Sequence, residues 1–337
     1  MSIPLLAFAR HHFTRALAAA FCLSLAACGG GGTSGDDLAE PLAQPQHDGS
    51  RRIAAVATTH TLHVGIKIPG HPHAVDVYQP AGATRAIVFL HGRGGRTGLL
   101  AYEFGFNRTK AAPTAKNVDW DWLARHGIIA VFPQGQTPPG STRSTWSNYI
   151  QDSGHDDVAF LHALSSHVTA QYGATEVSLA GHSNGGAMAA RMWCESTPSY
   201  KAYVTLAGPM PSSTHPIPSG TCTPLAPAPY HAVVGGNDST LAQFAPGNTV
   251  PTAEQMAAGL TDMVLVSEWI RHQDRSRVIC GDRPALEGGS VAASGPTWNA
   301  CDARIRYTVV THAEHPIASI EQHAGIRMAD LIAAFVQ

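Results

Sequence analysis

Charge is what this 337-residue chain has least of: 14% of its residues are Asp, Glu, Lys or Arg, against about 25% in an average soluble protein. Its 22 Lys and Arg stand against 24 Asp and Glu. That balance excludes the basic surface a nucleic-acid binder needs to displace counterions. Low charge is not low hydrophobicity, because 44% of the residues are apolar, enough to fill a core and to exclude intrinsic disorder. No CxxC and no Cys/His spacing of the zinc type occurs. Internal repeats are absent as well. The longest uncharged apolar stretch near the N-terminus, 16–27, is too short to cross a bilayer, which takes about 20 helical residues.

What that stretch suits is an export signal. Arg10, His11, His12 and Arg15 form a basic lead-in, and 16–27 is an h-region that ends in Leu25-Ala26-Ala27-Cys28. The ending resembles the bacterial lipoprotein box, which implies a cut after Ala27 and a lipid on Cys28; an ordinary signal peptide cut nearby is the alternative. Residues 1–27 are therefore expected to be a leader and 28–55, with Gly29-Gly30-Gly31-Gly32 and then Pro, Gln and Asp, a flexible tether. Export places the remaining cysteines in an oxidising compartment. Of three possible pairings, local closure favours Cys194–Cys222 and Cys280–Cys301.

From 56 to 337 the rhythm is strand, loop, helix in one domain. Runs 61–68 and 74–78 flank Pro69-Gly70 and predict a hairpin. The nearly continuous apolar runs 85–90, 128–132, 176–180, 202–206, 231–234 and 305–310 read as strands covered on both faces. Helices are expected at 120–125, 158–171, 185–194, 253–272 and 320–336, with Asp156 and Asp157 capping the second. Alternation of this kind predicts an α/β fold with a mostly parallel, doubly wound sheet.

Gly181-His182-Ser183-Asn184-Gly185-Gly186 directly follows the run 176–180 and directly precedes a helix. That is the context of a nucleophile elbow, whose glycines make room for a turn that exposes the serine above the sheet. A serine needs a base, an acid and a site for developing negative charge. His91-Gly92-Arg93-Gly94-Gly95 closes the strand 85–90, so the N–H groups of Arg93 and Asn184 are the expected oxyanion donors. The order serine, carboxylate, histidine directs attention to Asp238, in the turn after 231–234, over Asp262, Asp274 and Asp282, which no strand precedes. The base follows the last strand, as His315 in preference to His312, whose side chain so near the strand end would point into the sheet.

Leu90-His91-Gly92, Phe132-Pro133-Gln134-Gly135, Trp146, Asp156-Asp157-Val158-Ala159-Phe160 and Gly181–Gly186 occur in this order. Together they resemble the polyhydroxybutyrate depolymerase and feruloyl esterase family of secreted α/β-hydrolases, over roughly 60–330. The resemblance implies a Ser183–Asp238–His315 triad working without metal or organic cofactor, a structural Asp157, and Trp146 near the cleft, with His91 beside it at the substrate. One departure is Pro316-Ile317 after His315, where the family usually has Thr-Trp-Pro.

Other groups carry less. His60, His63, His71 and His73 lie on the hairpin without a Cys/Asp set and read as solvated edge residues. His162 and His167 do not share a helix face, and Met256 and Met263 read as a core stripe. The expected protein is thus an exported serine esterase, either lipid-anchored to a membrane of the cell envelope or secreted. Its ester substrate is small or oligomeric, because nothing after the final helix reads as a polymer-binding module. A peptidase or dienelactone-type hydrolase, or a silent surface-binding lipoprotein, are the alternatives.

Overall fold

The computed structural model describes residues 58–195, 199–211, 222, 228–243, 263–281, 285–287 and 296–337. The expected leader, the tether with Cys28, and Met256 lie outside them.

The expected strands form and two more, the eighth and ninth, join them: β1 (Thr61–Lys67), β2 (Ala74–Gln79), β3 (Arg85–Leu90), β4 (Ile128–Pro133), β5 (Glu176–His182), β6 (Tyr203–Leu206), β7 (Tyr230–Gly235), β8 (Ala285–Glu287), β9 (Thr297–Ala300) and β10 (Ile305–Val310). Among the described residues they form one ten-stranded sheet in the order β1-β2-β4-β3-β5-β6-β7-β10-β9-β8. The central six, β4 to β10 in that order, are mutually parallel. Antiparallel pairs finish both edges, β1 and β2 at one and β9 and β8 at the other.

Strand periodicity explains why the central strands are apolar throughout. Along β3, Val88 and Leu90 enter one core with Leu161, Leu164 and Trp193, while Ile87 and Phe89 enter the other with Phe104, Trp122 and Ile332. Successive side chains point to opposite faces, so a sheet covered twice needs apolar residues at both parities. Helices α3 (Asp157–Tyr172) and α4 (Asn184–Glu195) supply the first layer; α2 (Trp120–His126) and the C-terminal helices supply the second.

Several elements differ from expectation. The single helix expected over 320–336 is two, α7 (Ile317–Ala324) and α8 (Met328–Phe335). Gly325 separates them in the left-handed region, at φ 67°, where its N–H caps Glu321 O. Helix α6 (Met263–Cys280) runs past the expected end at 272. Helix α1 (Thr97–Glu103), the one-turn α5 (Ser239–Ala242), β8 and β9 had no counterpart in the sequence reading. Both expected disulfides are present. Cys194–Cys222 has a Cα separation of 4.4 Å and joins the end of α4 to the segment before β7. Cys280–Cys301 spans 5.6 Å and joins α6 to the turn after β9. Such bonds belong to an oxidising compartment.

Candidate active site

The nucleophile elbow is where β5 turns into α4. Ser183 has φ 56°, a left-handed conformation that costs a non-glycine residue about 1–3 kcal/mol and persists only where the surroundings impose it. Here Ser183 N–H still donates to Leu206 O on β6 (2.8 Å), and its carbonyl accepts the Ala187 N–H of α4 (2.9 Å). Strand and helix are brought so close that side chains are excluded. A Cβ on Gly181 would sit 2.1 Å from Gly185 O, and one on Gly185 2.3 Å from Leu90 O.

Two further strand ends converge on the serine. The turns after β7 and β10 are fastened together by Gly236 N–H to Val310 O and Asn237 N–H to Ala313 O, both 2.8 Å. Asp238 is 2% exposed, and its two oxygens have separate duties. Oδ1 accepts the Thr240 and Leu241 N–H groups (2.9 Å each), capping α5. Oδ2 accepts His315 Nδ1–H at 2.8 Å. With Nδ1 carrying the proton, His315 Nε2 is the acceptor for the Ser183 hydroxyl, also at 2.8 Å.

His312 is not in this chain of bonds. Its backbone has φ 64°, its side chain is exposed, and it does not point into the sheet as its place near the strand end suggested. The turn rotates it outwards before Ala313 returns to the core.

Arg93 and Asn184 both line the cavity at Ser183. Gly92 is pressed against the nucleophile, where a Cβ would lie 3.1 Å from Ser183 Cβ. Asn184 is the first residue of α4, so its N–H has no helical carbonyl to bond. Its side chain is already committed, accepting Trp146 N–H (2.8 Å) and donating to Gln151 Oε1 (2.9 Å).

Trp146 and His91, expected at the substrate, do not line that cavity. Trp146 is 0% exposed and donates its indole N–H to His91 O (3.0 Å). His91 is 1% exposed; its Nδ1–H donates to Gly92 O (2.7 Å), and Nε2 accepts Gly135 N–H (2.9 Å). Burial lowers its pKa to about 4, partly opposed by the Gly92 bond. Both residues brace the loop carrying Arg93 from behind. The sequence placed them near the site correctly but could not show which side of the loop they occupy.

His73 also departs from expectation. It is not a solvated edge residue: it is fully buried, stacks on Phe160 (ring centroids 3.8 Å apart), and bonds Asp157 Oδ1 at 2.6 Å. Asp157 Oδ2 takes Ser147 N–H (2.6 Å) and the Ser153 hydroxyl (2.8 Å). Asp157 therefore fixes the loop behind Trp146, while Asp156 alone caps α3 through Ala159 N–H (2.9 Å).

The cavity over Ser183 has a volume of about 450 Å³. Ile150, Ala187, Ala207, Pro209 and Leu241 give it an apolar side; Arg93, Arg143, Gln151 and Gln243 give it a polar one. Sequence reasoning missed Arg143, which lies in a Pro/Gly/Ser/Thr-rich stretch with no periodicity to mark it. It also gave no role to His182, whose half-buried ring lies beside that of His315 although its position within the serine motif was a usable signal.

No protein-family model matches the chain, and no curated protein matches it in sequence. Among solved structures it is similar to the acetyl xylan esterase from Aspergillus awamori, with a TM-score of 0.51 and 15% identity over 79% of this chain and 99% of that one. It is also similar to a ferulic acid esterase (TM-score 0.49, 11% identity, 84% and 99% covered). For the S-formylglutathione hydrolase from Agrobacterium tumefaciens the values are 0.49, 10%, 84% and 98%. At such identities the likeness speaks for architecture, and it agrees with the strand order, the crossovers and the turn at Ser183: the chain has the α/β-hydrolase fold.

Proposed function

We propose that this protein is an exported serine esterase. The observation that carries the reading is the unbroken line Asp238–His315–Ser183, with both hydrogen bonds at 2.8 Å and the serine facing a cavity. Ser183 Oγ attacks the ester carbonyl carbon while His315 Nε2 removes its proton. Asp238 holds the imidazole in the Nδ1–H tautomer and stabilises the imidazolium that forms. The N–H groups of Arg93 and Asn184 receive the oxyanion. His315 then protonates the departing alkoxide, leaving an acyl-serine. A water that gives its proton to Nε2 attacks this acyl group, and collapse of the second tetrahedral intermediate frees the acid and restores Ser183.

The resemblance to the polyhydroxybutyrate depolymerase and feruloyl esterase family points to hydroxyalkanoate oligomers or feruloyl- and acetyl-type esters as substrates. The leader at 1–27 and Cys28 support export with a lipid anchor, and both disulfides fit that compartment. The experiment treats the protein with a fluorophosphonate probe, maps the adduct, and assays p-nitrophenyl acyl esters. Labelling at Ser183 with ester turnover is expected. Absence of labelling and turnover in folded protein would reject the reading and favour a binding lipoprotein.

A further inference from the structure

Among the described residues several guanidinium groups are held by other parts of the fold. Arg271 pairs with Glu268 (2.8 Å) and Arg191 with Glu195 (3.1 Å), while Arg85 and Arg327 donate to carbonyls of other elements. Arg93 and Arg143 are distinguished by where their unpartnered groups lie. Both line the cavity over Ser183, both are exposed, and neither guanidinium has an ion-pair or hydrogen-bond partner among the described residues. No Asp or Glu is among the described residues lining that cavity.

Their positions are built. The loops carrying them are joined by Gly94 N–H to Ser144 O (2.7 Å) and Ser144 Oγ–H to Gly95 O (2.8 Å). The stem of Arg143 lies over Gly94, where a Cβ would be 3.6 Å from its Cγ and Cδ. Gly94 has φ 76° and leaves that surface bare, so the Arg143 stem runs past the residue next to Arg93. On the far side of the Gly94–Ser144 junction an open groove is lined by Lys67 and Arg96, again with no carboxylate among its described residues. Asp152 and Asp156 line an adjoining groove that shares Asn148, Ile150 and Gln151 with the cavity, and their oxygens are engaged by Ser147 and Gly154, and by Ala159.

Unpaired cations of one sign along a concave wall focus a positive potential on whatever enters. The planar guanidinium fork matches a carboxylate, with two parallel charge-assisted hydrogen bonds. The apolar side, with Ile150 and Leu241, suits the carbon chain between the scissile ester and that charge. We infer, resting on the esterase reading above, that the substrates carry a second, free carboxylate and that Arg93 and Arg143 hold it while Ser183 attacks the ester. The enzyme thus selects acidic esters, such as half-esters of dicarboxylic acids or oligoesters ending in a free acid.

The test compares mono-p-nitrophenyl adipate, an anion, with methyl p-nitrophenyl adipate, its neutral counterpart. The wild type is expected to favour the anion in kcat/KM, by a ratio that falls as salt is added. Arg143→Gln is expected to lower that ratio about tenfold to hundredfold, the scale of one hydrogen bond to a charged group. Calorimetry on Ser183→Ala protein measures binding of adipate without any turnover, and Arg93→Gln and Arg143→Gln introduced in that background are each expected to weaken it. Adipate binding lost in these variants supports the carboxylate site even if no ester is turned over, so the two readings fail separately. An anion-to-neutral ratio that Arg143→Gln leaves unchanged would overturn the inference. So would wild-type preference for the neutral ester, or phosphate competing as well as adipate does.

Discussion

His182 and His315, 133 residues apart in the chain, are joined by a hydrogen bond from His182 Nε2–H to the carbonyl of His315 (2.9 Å). Their rings lie 5.1 Å apart between centroids. The residue before the serine thus holds the backbone of the histidine that faces the serine. Burial lowers the His182 pKa to about 4, with His315 adding to the effect. Its ring is therefore neutral at ordinary pH and leaves His315 the group able to take a proton.

Replacing His182 by Phe keeps a ring but removes the donor. A carbonyl left without its partner costs about 1–3 kcal/mol, and the His315 turn is expected to loosen. Steady-state kinetics should show kcat lowered roughly tenfold or more with KM for a small ester little changed, since no substrate contact is lost. Equal kcat in the variant would show that the bond does not position the imidazole.

Separate His312→Ala and His315→Ala variants distinguish the two candidate bases. His315→Ala should lose about 10⁴–10⁶ in kcat, the range typical of a triad member. The exposed His312 should be replaceable with little effect. A dead His312→Ala with an active His315→Ala would contradict the hydrogen-bonded arrangement.

Gly185→Ala tests the steric reading of the elbow. The new methyl would overlap Leu90 O at 2.3 Å, a backbone atom that cannot swing away. Overpacking typically costs about 1–3 kcal/mol and can cost more, so a markedly lower melting temperature or insoluble protein is expected. Native-like melting together with full activity would mean that the turn relaxes freely.

Acid should destabilise the fold before its carboxylates titrate. Burial lowers the pKa values of His91, His182 and His272 to about 4 and that of His231 to about 3. Released by unfolding, each binds a proton near 6.5. Between pH 6.5 and about 4 the unfolded chain therefore holds more protons, and stability falls as pH falls. Each histidine contributes roughly 1 kcal/mol per pH unit across that window. Glu103, Glu268 and Glu321, which burial pushes upwards, act in the opposite sense, but His162 and His167, which burial also lowers, add to the four histidines, six groups against three. Urea midpoints measured from pH 7 to 4.5 should decline steadily; a flat profile would refute the neutral-histidine account.

Reduction should lower the melting temperature, because each disulfide closes a loop of the unfolded chain. Loss of a native bond commonly costs about 2–5 kcal/mol. Cys194–Cys222 bridges the end of α4, whose other end begins at the elbow, so its loss should also be felt in activity. Unchanged melting in reductant would contradict this.

The layout of the candidate site was legible because each of its three hydrogen-bonded residues follows an apolar strand, and a run such as 305–310 is read without knowing its neighbours. Ser183, Asp238 and His315 were found in this way. The resemblance brought Trp146 and His91 near the site but not to the right wall of the loop, and His73 was misread because a place on an edge hairpin does not show which face is covered. Strand β8 was too short to read, and β9, with Asn299 in its middle, gains its strand character from pairing with β10. Arg143 left no local trace at all, since its importance depends on lying over Gly94, 49 positions earlier.

The fastening of the turns after β7 and β10 has a kinematic meaning. Acid and base ride on one bracket, so any breathing of the sheet carries Asp238 and His315 as a pair. The serine rides on another, β5, tied to that bracket at the site by its own bond to His315 and by His182. Entry of a substrate is thus free to stretch the serine–histidine gap while leaving the histidine–aspartate bond intact. In the proposed esterase one joint would open without loss of the tautomer that the other preserves.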